Sequence, residues 1–164
     1  AEMERMLNEY LAFARGEGSE KPERRDLAEL IDDAVRQARR SGAQVDYHAA
    51  GKLTIPVRPH GFLRCLSNLL ENALRYGSRA SVEARRKGGI IEILIDDDGP
   101  GIPEELREEV FKPFFRAEGS RNPETGGVGL GLTIARDLVR GHGGEIVLGE
   151  SPLGGLRVQI RLPV

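Results

Sequence analysis

The sequence predicts an α+β fold, a two-layer sandwich in which helices cover one face of a mixed, mostly antiparallel sheet. Two observations carry this. Segments with helical spacing of apolar residues are separated by short strand-like runs, and most neighbouring runs are joined by hairpin-sized turns such as Lys87-Gly88-Gly89. The size agrees: 164 residues, 39 % apolar and 30 % charged, suit one soluble domain with its own core and a short appendage.

Residues 1–15 read as an extra N-terminal helix, with Met3, Met6, Tyr10 and Phe13 on one stripe. Residues 16–25, with Gly16, Gly18 and Pro22 among polar residues, read as a linker, and 26–164 as the domain proper. Asp26 is placed to cap a helix, with Glu29 as its capping-box partner. Leu27, Leu30, Ile31, Ala34 and Ala38 form that helix's apolar face, and Gly42 ends it. Short strands are expected at 44–48 and 53–57, then a long helix at 59–76 with Leu63, Leu66, Leu70 and Leu74 facing the core. Strands follow at 80–86 and 90–96, and a helical turn at 104–109. A long loop is expected over 110–127, a helix over 129–141, and closing strands at 145–149 and 156–162. A loop of that length inside a compact domain is usually functional or disordered.

Composition excludes several classes. The net charge of −2 gives no long-range attraction to nucleic acid or an anionic membrane, and basic residues form no tract. The single cysteine, Cys65, rules out an internal disulfide and a multi-cysteine zinc site; among Phe62, Leu66 and Leu69 it reads as a small core residue. No apolar run approaches membrane-spanning length.

Three motifs carry chemistry. On the long helix, Asn68, Asn72 and Arg75 recur at i, i+4 and i+7 and share a face, with Tyr76 beside them. Two amides and a guanidinium offer oxygen ligands to a hard cation and a donor to phosphate, although the same pattern also suits a solvated face. The apolar strand at 90–95 ends in Asp96-Asp97-Asp98-Gly99-Pro100-Gly101. A carboxylate there can accept the exocyclic amine of adenine, and the glycines permit close approach of a ligand; a plain polar turn is the alternative. Gly127, Gly129 and Gly131 alternate around a helix start, where backbone N–H groups and the helix dipole suit phosphate oxygens. No Gly-Lys-Ser/Thr follows, so this is not a Walker loop, and the context of a dinucleotide fold is missing.

Taken in order, Asn68-Leu69-Leu70-Glu71-Asn72-Ala73, Asp97-Asp98-Gly99-Pro100-Gly101, Phe111-Lys112-Pro113-Phe114-Phe115 and Gly127-Val128-Gly129-Leu130-Gly131-Leu132 resemble the ATP-binding domain of bacterial sensor histidine kinases. That domain belongs to the wider Bergerat-type family, with gyrase-, Hsp90- and MutL-type ATPases, and the likeness runs from about residue 26 to 164. The resemblance implies a Bergerat-type sandwich binding ATP or ADP with Mg²⁺. It implies that Asn72 coordinates the metal, with Asn68 as a second metal residue, that Asn68, Asn72 and Arg75 are catalytic, and that Asn72, Arg75 and Tyr76 line the nucleotide. It gives Asp97 the adenine contact, with Gly99, Gly101 and Ile102 around the base. Gly127, Val128, Gly129, Leu130, Gly131 and Leu132 become the phosphate loop, and residues 110–127 the ATP lid, with Lys112, Arg116 and Arg121 as cations in reach of the terminal phosphate or simply solvated. Gly154-Gly155 resembles the family's last glycine motif, a structural feature. Asp98 departs from the pattern, which more often has asparagine there. Arg75-Tyr76-Gly77 and the N-terminal segment look most like osmosensor-type, EnvZ-like kinases.

The hydrolytic relatives carry glutamate at the position of Asn68. An amide is no general base near neutral pH, so Asn68 points to phosphoryl transfer rather than hydrolysis. Glu71 lies off that face. None of His48, His60 and His142 has the context of a phosphoacceptor, and structural roles are expected for all three. The expected substrate is a histidine on a dimerisation hairpin of the same kinase, with a response-regulator receiver domain downstream and no nucleic acid or membrane contact. The resemblance places the domain in the cytoplasm, as part of an inner-membrane sensor. Two alternatives compete with this reading: a degenerate docking module without ATP, disfavoured by Asn72, Asp97 and the loop glycines, and a gyrase- or Hsp90-class ATPase, disfavoured by Asn68 and the short chain.

Overall fold

The structure is a computed structural model that describes residues 20–112 and 131–164. Strand β1 (Glu23–Asp26) leads into helix α1 (Leu27–Arg40), followed by β2 (Gln44–Ala50) and β3 (Thr54–Val57). Helix α2 (Pro59–Tyr76) precedes the hairpin β4 (Arg79–Lys87) and β5 (Ile90–Asp97). Two short 3₁₀ turns, Glu104–Leu106 and Glu109–Phe111, lead towards helix α3 (Gly131–Gly141) and the hairpin β6 (Glu145–Glu150) and β7 (Leu156–Pro163).

The main sheet has the order β2-β4-β5-β7-β6. Only β2–β4 is parallel; the other three pairings are antiparallel. This is the mixed, mostly antiparallel sheet expected. One face is covered by helices, with α2 packed against both α1 and α3. Period-2 alternation sorts the central strand: Ile91, Ile93 and Ile95 point into the core at 1 % exposure or less. The opposite face carries Glu92, Leu94 and Asp96. The carboxylates there are paired across the strands. Arg85 donates to Glu92 Oε1 through Nε (3.0 Å) and a terminal nitrogen (2.7 Å), and Gln159 Nε2 donates to Glu92 Oε2 (2.6 Å). Arg157 forks onto Asp96 at 2.8 and 3.0 Å. Burial pushes Glu92 upward, but the bonds from Arg85 and Gln159 and the charges of Arg85 and Lys87 outweigh it, holding the carboxyl below its ordinary range.

Three expectations are corrected. Residues 23–25, assigned to a linker, form β1, whose antiparallel partner is β3; this pair makes a separate two-stranded sheet, so β3 does not join the main one. Its charged Glu-Arg-Arg-Asp sequence has no strand-like alternation, and only the ladder reveals it. On α2 the buried stripe is Phe62, Cys65, Leu66, Leu69, Leu70 and Ala73, while Leu63 and Leu74 flank it half-buried. The stripe is turned by about one position because the helix is covered on three sides, by the sheet, α1 and α3. Finally, Val110 and Phe111, placed in the long loop, are buried in the second 3₁₀ turn. The N-terminal helix at 1–15, residues 16–19 of the linker and residues 113–130 of the loop and helix start lie outside the described residues.

Candidate functional site

The site lies along the exposed side of α2, where the sheet ends at Asp97. Helix α2 starts at Pro59, a residue pre-set for the first helical turn, and ends at Tyr76, with Gly77 as its C-cap. Its apolar stripe faces the sheet, so Asn68, Asn72 and Arg75 come to lie on the other side, half-buried, with Tyr76 39 % exposed. Among the described residues none of the Asn68, Asn72 and Arg75 side chains is committed to a hydrogen bond or ion pair. Glu71 is exposed, off that face, as expected.

Asp97 closes β5 at 5 % exposure. Its Oδ1 accepts from the backbone N–H of Gly99 (2.9 Å) and of Leu156 (3.1 Å). The carboxylate is thereby fixed by one oxygen, and Oδ2 keeps its acceptor capacity. Burial pushes the Asp97 carboxyl above its ordinary range; the two N–H bonds oppose this, and the charges of Asp98 and Asp96 add to it.

The glycines after it act through close packing. A Cβ on Gly99 would lie 2.7 Å from Tyr76 O, so the turn sits directly against the end of α2. Gly101 has φ +76°, the left-handed region that favours glycine, and leads to half-buried Ile102 against the core. Gly155 presses on Asp97 from the β6–β7 hairpin: a Cβ there would overlap Asp97 Oδ1 and lie 2.6 Å from Asp97 O and Gly99 N. The structural role expected of Gly154-Gly155 is therefore a specific one, since only glycine lets this hairpin reach the carboxylate.

Asp98 turns the other way. It accepts from Ser78 N (2.7 Å), Ser78 Oγ (2.6 Å) and Arg79 N (3.1 Å), tying the strand end to the turn after α2. These bonds, the Ser78 hydroxyl first, lower its carboxyl to about 2.

Gly131, at the end of the expected phosphate loop, lies so that a Cβ on it would be 3.9 Å from Asn68 Cβ. Helix α3 thus begins beside the α2 face, and Leu132 packs against the core. Gly127, Val128, Gly129 and Leu130 lie outside the described residues, as do Phe114, Phe115, Arg116 and Arg121. At the root of the expected lid, Thr133 Oγ1 donates to Phe111 O at 2.6 Å, and the Arg136 guanidinium stands 4.3 Å from the centre of the Phe111 ring while pairing with Glu108 (2.7 Å). Lys112 is exposed and pairs with Glu109 at 2.8 Å.

Sequence reasoning missed Thr133, Arg136, Leu156 and Ser78. Each acts on a residue distant in sequence, and no local motif marks them. The reading of Cys65 holds: it is fully buried, and burial pushes its thiol up to about 12. His142 is structural. Its Nε2 accepts from Arg58 N–H (3.0 Å) and its Nδ1 bonds Leu138 O (2.8 Å), which fixes the neutral tautomer with the proton on Nδ1. Among the described residues no helix is long and apolar enough to cross a membrane.

Residues 57–164 match the family described as histidine kinase-, DNA gyrase B-, and HSP90-like ATPase. The chain is 45 % identical over 108 residues, 66 % of its length, to the sensor histidine kinase GtrS of Pseudomonas aeruginosa, and 36 % identical over 172 residues, 99 % of its length, to CpxA of Escherichia coli. It spans only 22 % and 37 % of those two proteins. Among solved structures it is similar to the mycobacterial sensor histidine kinase MprB (TM-score 0.74, 30 % identity, covering 87 % of this chain and 97 % of that one). It is also similar to the ATP-binding domain of PrrB from Mycobacterium tuberculosis (TM-score 0.70, 31 % identity, covering 87 % and 97 %). The chain belongs to the histidine kinase-, DNA gyrase B- and HSP90-like ATPase family, as the ATP-binding catalytic domain of a sensor histidine kinase.

Proposed function

We propose that this domain binds Mg²⁺-ATP along the α2 face and directs the γ-phosphate to a histidine on a dimerisation hairpin of the same kinase, for onward transfer to a response-regulator aspartate. The observation that supports it best is the pairing of an uncommitted set of polar side chains with a carboxylate fixed by one oxygen. Asn68, Asn72 and Arg75 are half-buried yet spend no hydrogen bond within the described protein, and Asp97 is anchored by Oδ1 with Oδ2 open. The donors fit magnesium, which takes oxygen ligands and keeps several waters when it also meets phosphates. No group of three or more His, Cys, Asp or Glu is poised for a metal among the described residues, so the ion would rest on amide oxygen and the nucleotide's own oxygens.

In this reading Asn72 holds the metal, with Asn68 one turn away, and Arg75 donates to phosphate. Tyr76, Gly99, Gly101 and Ile102 shape the base pocket. Asp97 Oδ2 accepts adenine's amine, and the backbone at Gly127–Leu132 takes phosphate oxygens. When bound, Mg²⁺ supplies charge neutralisation on the phosphates. The chain's own residues position and orient the nucleotide. Asn68 offers no base to activate water, which favours transfer over hydrolysis.

Titration calorimetry with ATP, with and without Mg²⁺, tests the reading. Mg²⁺-dependent binding that weakens in Asn72→Ala is expected. An Mg²⁺-ATP affinity unchanged in that variant would overturn the assignment of Asn72. The likeness to proteins named as sensor kinases, here matched over a fraction of their length, supports the further step to a cytoplasmic position within a membrane sensor.

A further inference from the structure

Helices α1 and α2, the two longest among the described residues, solve the same problem differently. Helix α1 is capped locally, by Asp26 Oδ1 accepting from Ala28 N at 3.0 Å. Helix α2, which carries Asn68, Asn72 and Arg75, has no local cap: its N-cap residue is Arg58, and no acid stands in its first turn. Its orphan N–H groups are satisfied from far away. Glu20 Oε2 accepts from His60 N (3.0 Å) and Glu20 Oε1 from Gly61 N (3.1 Å), across some 40 residues of chain. The Arg58 N–H donates to His142 Nε2, at the far end of α3. The Phe62 and His142 rings also meet edge-on, with centroids 5.9 Å apart.

These contacts form one continuous link. Helix α3 begins at Gly131 beside Asn68, where the phosphates are expected, and ends at His142 on the first residue of the α2 cap. Glu20 grips the next two amides of the same cap and stands three residues before β1, where the chain enters the domain. Hydrogen bonds thus run without a break from the end of α3, through the N-terminus of α2, to residue 20. A bidentate carboxylate on two N–H groups at the positive end of a helix is a favourable pairing that a small shift of either partner weakens.

We propose that Glu20 is a positioning residue: its carboxylate, with the His142–Arg58 bond, couples the occupancy of the nucleotide site to the seating of residue 20 on the N-terminus of α2. This rests on the nucleotide reading above. Coupling of this kind is reciprocal, so nucleotide must tighten the Glu20 cap by the same factor by which the cap tightens nucleotide. The loss of a helix cap corresponds to roughly fivefold in an equilibrium, which bounds the effect.

The test follows amide exchange at His60 and Gly61 in this chain, with and without saturating Mg²⁺-ATP, in the wild type, Glu20→Ala, Glu20→Gln and His142→Ala. Calorimetry on the same samples reports nucleotide affinity. Expected in the wild type is slower exchange at both amides on adding nucleotide. Glu20→Ala should abolish that response and weaken Mg²⁺-ATP by up to about fivefold. Glu20→Gln, which keeps one carbonyl acceptor, should restore part of both. His142→Ala should bind nucleotide but lose the response at Gly61. A cap that is only structural would speed exchange in Glu20→Ala without any dependence on nucleotide. Binding with unchanged exchange at His60 and Gly61 would overturn the coupling alone. Absence of any ATP binding would overturn the nucleotide reading and the coupling with it.

Discussion

Substituting Asp97 by asparagine should move binding and stability in opposite directions. Asparagine is nearly isosteric, and its Oδ1 can still accept from Gly99 N and Leu156 N, so the turn keeps its shape. What changes is the second position, where a donating Nδ2 replaces Oδ2 and would face adenine's amine. A hydrogen bond to a charged group is worth about 1.5–3 kcal/mol, so Mg²⁺-ATP should bind about 10- to 100-fold more weakly. The empty protein should respond differently. Burial, with Asp98 and Asp96 close by, raises the folded-state carboxyl of Asp97 above its unfolded value. A raised carboxyl contributes stability below its unfolded range and loses it as pH rises through the folded value. At neutral pH the ionised Asp97 therefore weakens the fold, and Asp97→Asn should melt at a higher temperature. The gain should shrink as pH falls towards 4 and the wild-type carboxyl takes up its proton. Calorimetric titration with Mg²⁺-ATP and Mg²⁺-GTP, paired with thermal melts at pH 7 and pH 4, checks both halves. GTP, which presents a carbonyl where adenine has its amine, should bind the wild type poorly. Equal ATP affinity in the variant would refute base reading by Asp97, and a lower melting temperature at pH 7 would refute the electrostatic argument.

Three further outcomes are expected. Gly155→Ala should cost about 1–3 kcal/mol by overpacking and weaken ATP, because its Cβ meets Asp97 and the Gly99 backbone, neither of which can swing aside; a denaturant melt measures the first and calorimetry the second. Asp98→Asn should bind ATP within about twofold of the wild type, since Oδ1 keeps Ser78 N and Arg79 N and Nδ2 can donate to Ser78 Oγ in a neutral hydrogen bond. The Asp98 carboxyl is lowered from 3.8 to about 2, so its stabilising contribution is present above 3.8 and is lost as pH falls through about 2; the variant's acid unfolding curve should lack that component. Thr133→Val removes a buried donor from Phe111 O and should destabilise by about 1 kcal/mol while speeding amide exchange at Glu109–Lys112.

What could be read in advance follows the range of the interaction. Period-2 and period-3.6 patterns are local, and they gave the sheet strands and helices to within a few residues. The shared face of Asn68, Asn72 and Arg75 on α2 and the place of Asp97 at the end of β5 were legible because spacing along one helix and the end of one apolar strand are themselves local. The β1–β3 ladder was not, since Glu23–Asp26 carries no alternation and exists only by pairing with β3. The phase of α2 was shifted because a helix buried on three sides blurs its own stripe. The supports of the site, Leu156 under Asp97, Ser78 on Asp98, Thr133 on Phe111 and Glu20 on His60, are contacts between residues 20 or more positions apart, and no single-sequence pattern encodes them.

The outer face of the sheet bears on how the domain behaves among other molecules. Leu94 stands at its centre, only 4 % exposed although no helix among the described residues covers that side. Its neighbours in register are Glu83 and Gln159, with Arg85 and Arg157 on the adjoining rungs, and long side chains of this kind shield apolar surface with their stems while their heads stay paired. A five-stranded sheet that left such a face apolar would invite stacking against another sheet or a stray chain. Here Arg85 pairs with Glu92 and Arg157 with Asp96 in place, which leaves Val147, 42 % exposed on the same face, as its apolar spot. Stripping Arg157 to alanine would uncover Leu94 and strand the Asp96 carboxylate together, and clumping at high concentration, rather than a change in nucleotide chemistry, is the failure that layer guards against.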